Sequence, residues 1–188
     1  MTAPDVARAG LWRVAPERTR ATFTLRKLGL VRVRGAFCVR EGSAELAADG
    51  SPRSAAAVLD AASFATGNAR RDTDVAGRRF LDAGQHPTID YRADRIDPVD
   101  GGWLVRGQLA VRGVTAPLDL TATVDLDAGE ARLTCTGLLD RGATALPGPR
   151  WLIGRWVAVE VTAVLVPAGD RAGDRAGERA GRRVGDQG

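Results

Sequence analysis

Residues 103–113, WLVRGQLAVRG, set Trp103, Val105, Leu109 and Val111 at odd positions and Arg106, Gln108 and Arg112 at even ones. A period of two belongs to an extended chain, whose successive side chains leave on opposite faces. The rhythm recurs on both sides of this stretch. Phe23 and Leu25 alternate with Thr22, Thr24 and Arg26, and Val31, Val33, Gly35, Phe37 and Val39 share a face opposite Arg32 and Arg34. Ile89 and Tyr91 stand against Asp90 and Arg92; Leu118, Leu120 and Val124 stand against Asp119 and Asp125. ARLTCTGLL and WVAVEVTAVLV continue the pattern toward the C-terminus. One apolar and one polar face per run is the mark of half-buried antiparallel strands. About eight such runs, separated by turns such as ADGSP and PVDGG, predict an all-β sandwich or barrel, two architectures that the spacing does not separate.

The chain has 188 residues, 44% of them hydrophobic and 27% charged, which suits one globular domain. The periodic pattern occupies 11–167, and residues 1–10 before it are expected to be a flexible N-terminus. Residues 168–188, AGDRAGDRAGERAGRRVGDQG, repeat AGxR with one Val and no aromatic, so they are expected to be a disordered tail. The formal net charge is +4, with Lys27 the single lysine, and arginines alternate with acids. No basic stripe interleaved with aromatics is present, so no nucleic-acid partner is expected. The longest apolar run, WVAVEVTAVLV, contains Glu160 and is too short to span a bilayer. MTAPDVARAG shows no basic lead followed by an apolar stretch, and the reading expects a cytoplasmic chain.

The period breaks over 68–83. Asp72 is the expected N-cap of a short helix, with Val75, Arg79 and Phe80 at helical spacing, and Phe80 and Leu81 are expected to turn inward. Gly77 weakens this helix, and Pro87 ends the insertion. Chemistry-bearing residues cluster in the same stretch, including His86, the only histidine. His86 has Ser63, Cys38 and Cys135 as partners in principle only, since none sits in a nucleophile-elbow pattern. One histidine and two scattered cysteines give no metal-ligand spacing. Asp72, Asp74 and Asp82 are explained by capping and by pairing with Arg70, Arg71, Arg78 or Arg79. The remaining candidate is the apolar face itself, since a barrel of about eight strands can enclose one small or elongated ligand.

Several ordered motifs resemble the YceI-like family, the lipocalin-like polyisoprenoid-binding domain, over Leu11 to Pro167. Trp12, Val14 and Pro16 look like its first strand, and Phe23, Leu28, Gly29, Val33, Gly35 and Phe37 are similar to its second block. The most specific match is Ser63, Thr66, Gly67, Asn68, Arg71, Asp72, Phe80, Asp82, Pro87 and Ile89. Gly107, Leu109, Arg112, Gly113, Val114, Thr115 and Pro117 resemble a further block. Lys27 replaces the usual histidine, and LLDRGATALPG keeps Arg141 and Gly142 of a late block without its Asp-Phe.

The resemblance implies an extended eight-stranded antiparallel barrel with a helical insertion. It implies no catalytic motif and no cofactor beyond a bound polyisoprenoid, isoprenoid quinone or similar lipid. It allows a homodimer, because long ligands of the family can reach between subunits. On this reading Phe23, Leu25, Val33, Phe37, Val58, Phe80, Ile89, Tyr91, Val105, Leu109, Leu120 and Val159 line the interior. Thr66, Gly67, Asn68, Arg71, Asp72, Pro87, Arg112 and Gly113 form the structural motif around the insertion, which reads as a lid. Two other readings remain open: a barrel with a filled core that serves as an interaction module, and an enzyme using His86 with Asp82 or Asp90.

Overall fold

The computed structural model describes residues 9–127, 129–144, 146–147 and 153–168. The expected flexible termini, 1–10 and 168–188, lie outside the described residues except for residues 9, 10 and 168. The strands are β1 (Gly10–Val14), β2 (Arg20–Lys27), β3 (Val31–Phe37), β4 (Val39–Leu46), β5 (Pro52–Asp60), β6 (Thr88–Val99), β7 (Gly102–Val111), β8 (Val114–Pro117), β9 (Leu120–Asp127), β10 (Glu130–Asp140) and β11 (Ile153–Pro167). One helix, α1 (Ala69–Ala76), lies between β5 and β6.

Every pairing is antiparallel, and the order β1-β4-β5-β6-β7-β9-β10-β11 returns to β1. Three of the ring's strands are each broken in two. A turn at Pro16–Arg18 separates β1 from β2, Cys38 separates β3 from β4, and Leu118 with Asp119 separates β8 from β9. β11 spans the first break, pairing Trp12 with Pro167 and Ala21 with Val161. β7 likewise pairs with both β8 and β9. The eleven segments thus build the expected eight-stranded closed barrel. Closure is what distinguishes it from a sandwich, because it removes the free edges that two stacked sheets retain. β3 is the exception: it pairs with β2 on one side and carries only the Ala36–Ala65 bridge to the insertion on the other.

The alternation fixes what lies inside. On β10, Ala131, Cys135 and Leu139 are buried while Arg132, Thr134 and Thr136 are exposed. On β6 a bulge between Ala93 and Arg95 shifts the phase, so Ile89, Tyr91 and then Ile96 face inward. The interior holds a large apolar cluster around Phe23, Tyr91, Leu109 and Leu120, and a smaller one around Trp12, Ala163 and Leu165. Leu133 and Val161 touch both.

The insertion departs from expectation at its cap. Asn68, not Asp72, is the N-cap of α1: its side-chain oxygen accepts from the Arg71 N–H at 3.0 Å. The Asp72 carboxylate is taken by Thr66, accepting from its N–H at 3.0 Å and from its hydroxyl. Gly77 ends the helix rather than sitting within it. The chain then folds back onto the helix, with the Leu81, Asp82 and Ala83 N–H groups donating to the Val75, Gly77 and Ala76 carbonyls at 2.9–3.0 Å. Phe80 and Leu81 reach the interior from this return and not from the helix itself. The Ala61 N–H donates to the Pro87 carbonyl at 3.0 Å and closes the neck of the insertion.

Gly35 carries the closest approach between lid and wall. A Cβ there would stand 2.7 Å from the Ala65 carbonyl oxygen and closer still to the Phe23 ring, which packs over the glycine. Replacing Gly35 by Ala is expected to lower unfolding stability by about 1–3 kcal/mol, the usual cost of overpacking. Urea denaturation of wild type and Gly35→Ala measures it, and an unchanged midpoint would contradict this packing.

Candidate functional site

The barrel encloses a cavity of about 520 Å3, within the range of ordinary small-molecule sites, roughly 300–1,000 Å3. It runs the length of the barrel. Leu46, Gly50, Pro52 and Leu126 line it at one end, and Phe80, Leu81, Arg141 and Ile153 at the other. Space remains because many inward positions carry small side chains: Ala21, Ala122, Ala131 and Ala163 all line it. Larger residues there would fill a barrel of this strand number.

The wall is almost entirely apolar. Its polar groups are Thr19, Thr22, Ser43, Tyr91, Cys135, Arg141 and the indoles of Trp12 and Trp103. The Tyr91 hydroxyl donates to the Val105 and Leu118 carbonyls at 3.4 and 3.3 Å, and burial raises its pKa. The same ring lies over Gly107, where a Cβ would stand 2.5 Å from the Arg92 carbonyl oxygen. Burial pushes the Cys135 thiol up to about 12, so it stays protonated at neutral pH. Cys38 is exposed and Cys135 buried, and both are free thiols.

Beneath the lid three rings meet. Phe64 stacks on Phe23 with centroids 5.2 Å apart and meets Phe37 edge-on at 5.5 Å; Phe23 and Phe37 are 5.6 Å apart. Offset and edge-on pairs at these distances are the favoured geometries. The lid is tied to the barrel by the paired backbone bonds between Ala36 and Ala65, at 2.8 and 3.0 Å, and by Arg112. Arg112, in the two-residue turn between β7 and β8, donates to the Phe80 carbonyl at 3.1 Å and the Arg79 carbonyl at 3.4 Å. Both turn residues, Arg112 and Gly113, have positive φ (51° and 74°), the conformation such hairpins need. Within the lid, the Thr66 hydroxyl donates to Asp72 and accepts from Arg71 Nε at 2.7 Å. Gly67, at φ 77°, makes the turn between Thr66 and the Asn68 cap.

Ten of the twelve residues predicted to line the interior border the cavity: Phe23, Leu25, Phe37, Phe80, Ile89, Tyr91, Val105, Leu109, Leu120 and Val159. Val33 and Val58 do not. Val33 shares the face of its partner Leu25 but lies outside the lining. Val58 pairs with exposed Asp90 and faces outward, while Leu59, paired with Ile89 and Val39, takes the inward place. Between Ser54 and Asp60 the run AAAVL is apolar on both faces, and the phase shared by Ser54, Val58 and Asp60 was missed, so a one-residue error inverted the face. Phe64, Trp12 and Trp103 border the cavity without having been singled out as its lining.

Arg141 was read only as the remnant of a motif, yet it is a buried cation at the cavity's lid end. Its guanidinium donates to the Leu146, Pro147 and Ile153 carbonyls at 3.1 Å and to that of Gly154 at 3.3 Å. Backbone acceptors from 146–154 thus hold it in place, as a buried charge requires.

The groups proposed for catalysis are employed elsewhere or lie apart. The Ser63 hydroxyl accepts from the Cys38 N–H at 2.8 Å and donates to the Asp60 carbonyl at 2.6 Å. His86 does not border the cavity; its ring packs against the Arg112–Gly113 turn. Among the described residues no three His, Cys, Asp or Glu side chains gather as a metal site.

Comparison with known proteins follows the same lines. The model of the YceI-like domain matches residues 12–165. Among solved structures, Burkholderia cenocepacia BcnA is 19% identical, with a TM-score of 0.70 over 80% of this chain and 98% of its own. A polyisoprenoid binding domain from Saccharophagus degradans implicated in plant cell wall breakdown is 17% identical, with a TM-score of 0.62 over 82% and 97%. The Campylobacter jejuni YceI protein is 16% identical, with a TM-score of 0.63 over 72% and 85%. No curated protein matches the chain.

Two measurements test this description. The hydrogen bonds from Thr66 lower the Asp72 pKa below the ordinary 3.8, with Arg71 adding to the effect. A depressed carboxyl favours the folded lid above pH 3.8, and this contribution is lost as pH falls through the depressed value. In a carbon-detected NMR titration Asp72 is expected to titrate below 3.8 in wild type and higher in Thr66→Val; equal midpoints would refute the arrangement. With an aromatic disulfide reagent at pH 8, Cys38 is expected to react at once and Cys135 only after unfolding. Two fast thiols would show that the interior is open to water.

Proposed function

From the premise that the chain belongs to the YceI-like domain family, we propose that it is a non-catalytic binding protein whose barrel holds a long apolar ligand. The observation that carries this reading is the cavity, continuous and apolar from the turn at Gly50 to the lid at Phe80. A channel of this shape suits a chain of methyl and methylene groups. Burying each five-carbon unit contributes on the order of 4 kcal/mol, at about 0.8 kcal/mol per carbon, before ordering costs are subtracted.

A polyisoprenoid or an isoprenoid quinone is the first ligand class to try. The S. degradans domain is described as binding polyisoprenoid, and the branched wall of valines and leucines here accepts methyl-branched chains. Carriage or storage is the role that fits, because the groups bordering the cavity include a protonated thiol and a hydrogen-bonded phenol rather than an activated nucleophile beside a base. The empty volume counts against a filled-core interaction module.

Native mass spectrometry of the purified chain, before and after organic extraction, is the direct test. An added mass that leaves on extraction and fragments as an isoprenoid or acyl chain is the expected result. The extracted chain is then titrated with a polyprenol and a quinone, following the fluorescence of Trp12 and Trp103, which border the cavity. Ala122→Phe, which places a ring in the channel, is expected to weaken binding at least about tenfold, as loss of several buried carbons would. A chain that carries nothing and takes up neither probe would overturn the proposal.

A further inference from the structure

We propose that the hairpin joining β2 to β3 is a docking element for an anionic lipid bilayer. Its tip is apolar and open to solvent: Leu28 is 52% exposed, Leu30 86% and Val31 55%. Leu28 also holds a left-handed backbone, φ 53°, followed by Gly29 at 70°. That conformation is unfavourable for a bulky side chain and suits Asn or Gly. A turn selected only to be tight and soluble would not place Leu there.

The stems of the hairpin are basic. Arg26, Lys27, Arg32 and Arg34 are all exposed, and among the described residues none makes an ion pair. Arg26 stands directly opposite Arg32 across the strand pair, where like charges repel. A surface of negative headgroups relieves that repulsion. Trp156, 52% exposed with Arg155 over its ring at 4.9 Å, lies on the neighbouring strand, whose Ile153 and Val157 pair with Lys27 and Leu25. Apolar tip, basic stems and an adjoining tryptophan reproduce the layering of a bilayer interface.

Guarding the open side of β3 accounts for Arg32 and Arg34, but it does not call for an exposed Leu30. Three aliphatic side chains on a narrow tip also bury far less than the roughly 1,600 Å2 of a stable protein interface. The charge of the whole barrel points the same way. Arg70, Arg78 and Arg79 are exposed on the insertion at the hairpin's end, whereas the turns at the opposite end expose Asp49, Asp100 and Asp127. The field turns the lid end toward a negative surface.

This inference goes beyond the ligand reading and does not depend on what fills the cavity. The test is flotation of the full chain with vesicles of phosphatidylcholine alone, or of phosphatidylcholine with about one-third phosphatidylglycerol, at low and at physiological salt. Binding is expected to the anionic vesicles only and to weaken with salt. Arg26→Gln with Arg32→Gln should weaken it about fivefold per charge removed, and Leu30→Ser about tenfold. Because Leu30 is a surface residue, its variant should keep the wild-type thermal midpoint. No flotation with anionic vesicles, or flotation indifferent to these substitutions, would overturn the inference. So would light scattering that shows a second copy held by the hairpin. Each result leaves the extraction experiment free to succeed or fail independently.

Discussion

Ring closure is the constraint on which the structure depends. β11 is hydrogen-bonded to β10 along ten residues and to β1 and β2 on its other side. This one strand joins the last part of the chain to the first. Once the sheet is closed, each strand's inward face is determined by its neighbours, because directly paired residues share a face. The apolar set of β11, Val157, Val159, Val161, Ala163 and Leu165, therefore faces those of β10 and β2 across one shared interior. A closed sheet with small inward residues cannot collapse onto itself as two stacked sheets can, and the cavity is the geometric remainder.

The lid solves a different problem. The end of a barrel exposes inward side chains that no strand covers, and residues 61–87 supply that cover from one insertion. The insertion owes its order to specific polar contacts more than to apolar contacts of its own. Asn68 caps α1, Asp72 and Arg71 converge on Thr66, and Arg112 reaches two lid carbonyls. Phe64, Val75, Phe80 and Leu81 border the cavity, and Ala61 and Ala83 join the surrounding core. Such a unit sits toward the low-stability end of a domain, where opening is local and does not require the barrel to unfold.

The strands were legible because their polar residues marked the phase. In β9 and β10, Thr, Asp and Arg at alternate positions left no doubt about the inward face. Where the polar markers were sparse, as from Ala55 to Leu59 between Ser54 and Asp60, the phase was lost by one residue. Where the backbone bulges, as between Ala93 and Arg95, simple alternation could not foresee that Ile96 turns inward. The helix cap failed for a related reason. Asn68 and Asp72 are both good cap residues, and the choice between them depends on Thr66 claiming the carboxylate, a contact across a turn with no local signature. Arg141 was illegible as a buried group because its partners are backbone carbonyls, which every residue possesses. Whether eight strands close into a barrel or stack as a sandwich depends on the pairing of β1 with β11, residues separated by nearly the whole domain.

That separation also orders events in time. Strands β2 to β10 can pair with neighbours as they appear, each hairpin joining segments close in sequence. The ring stays open until β11 is available, since Ala131, Ala21 and Trp12 all take their partners from it. During synthesis the domain therefore exists for a while as an open sheet with its apolar face half covered and two unsatisfied edges. Closure must then bring together residues about 150 apart, the kind of non-local contact that makes β proteins slow to fold. Until it does, the nascent chain is in its most association-prone state.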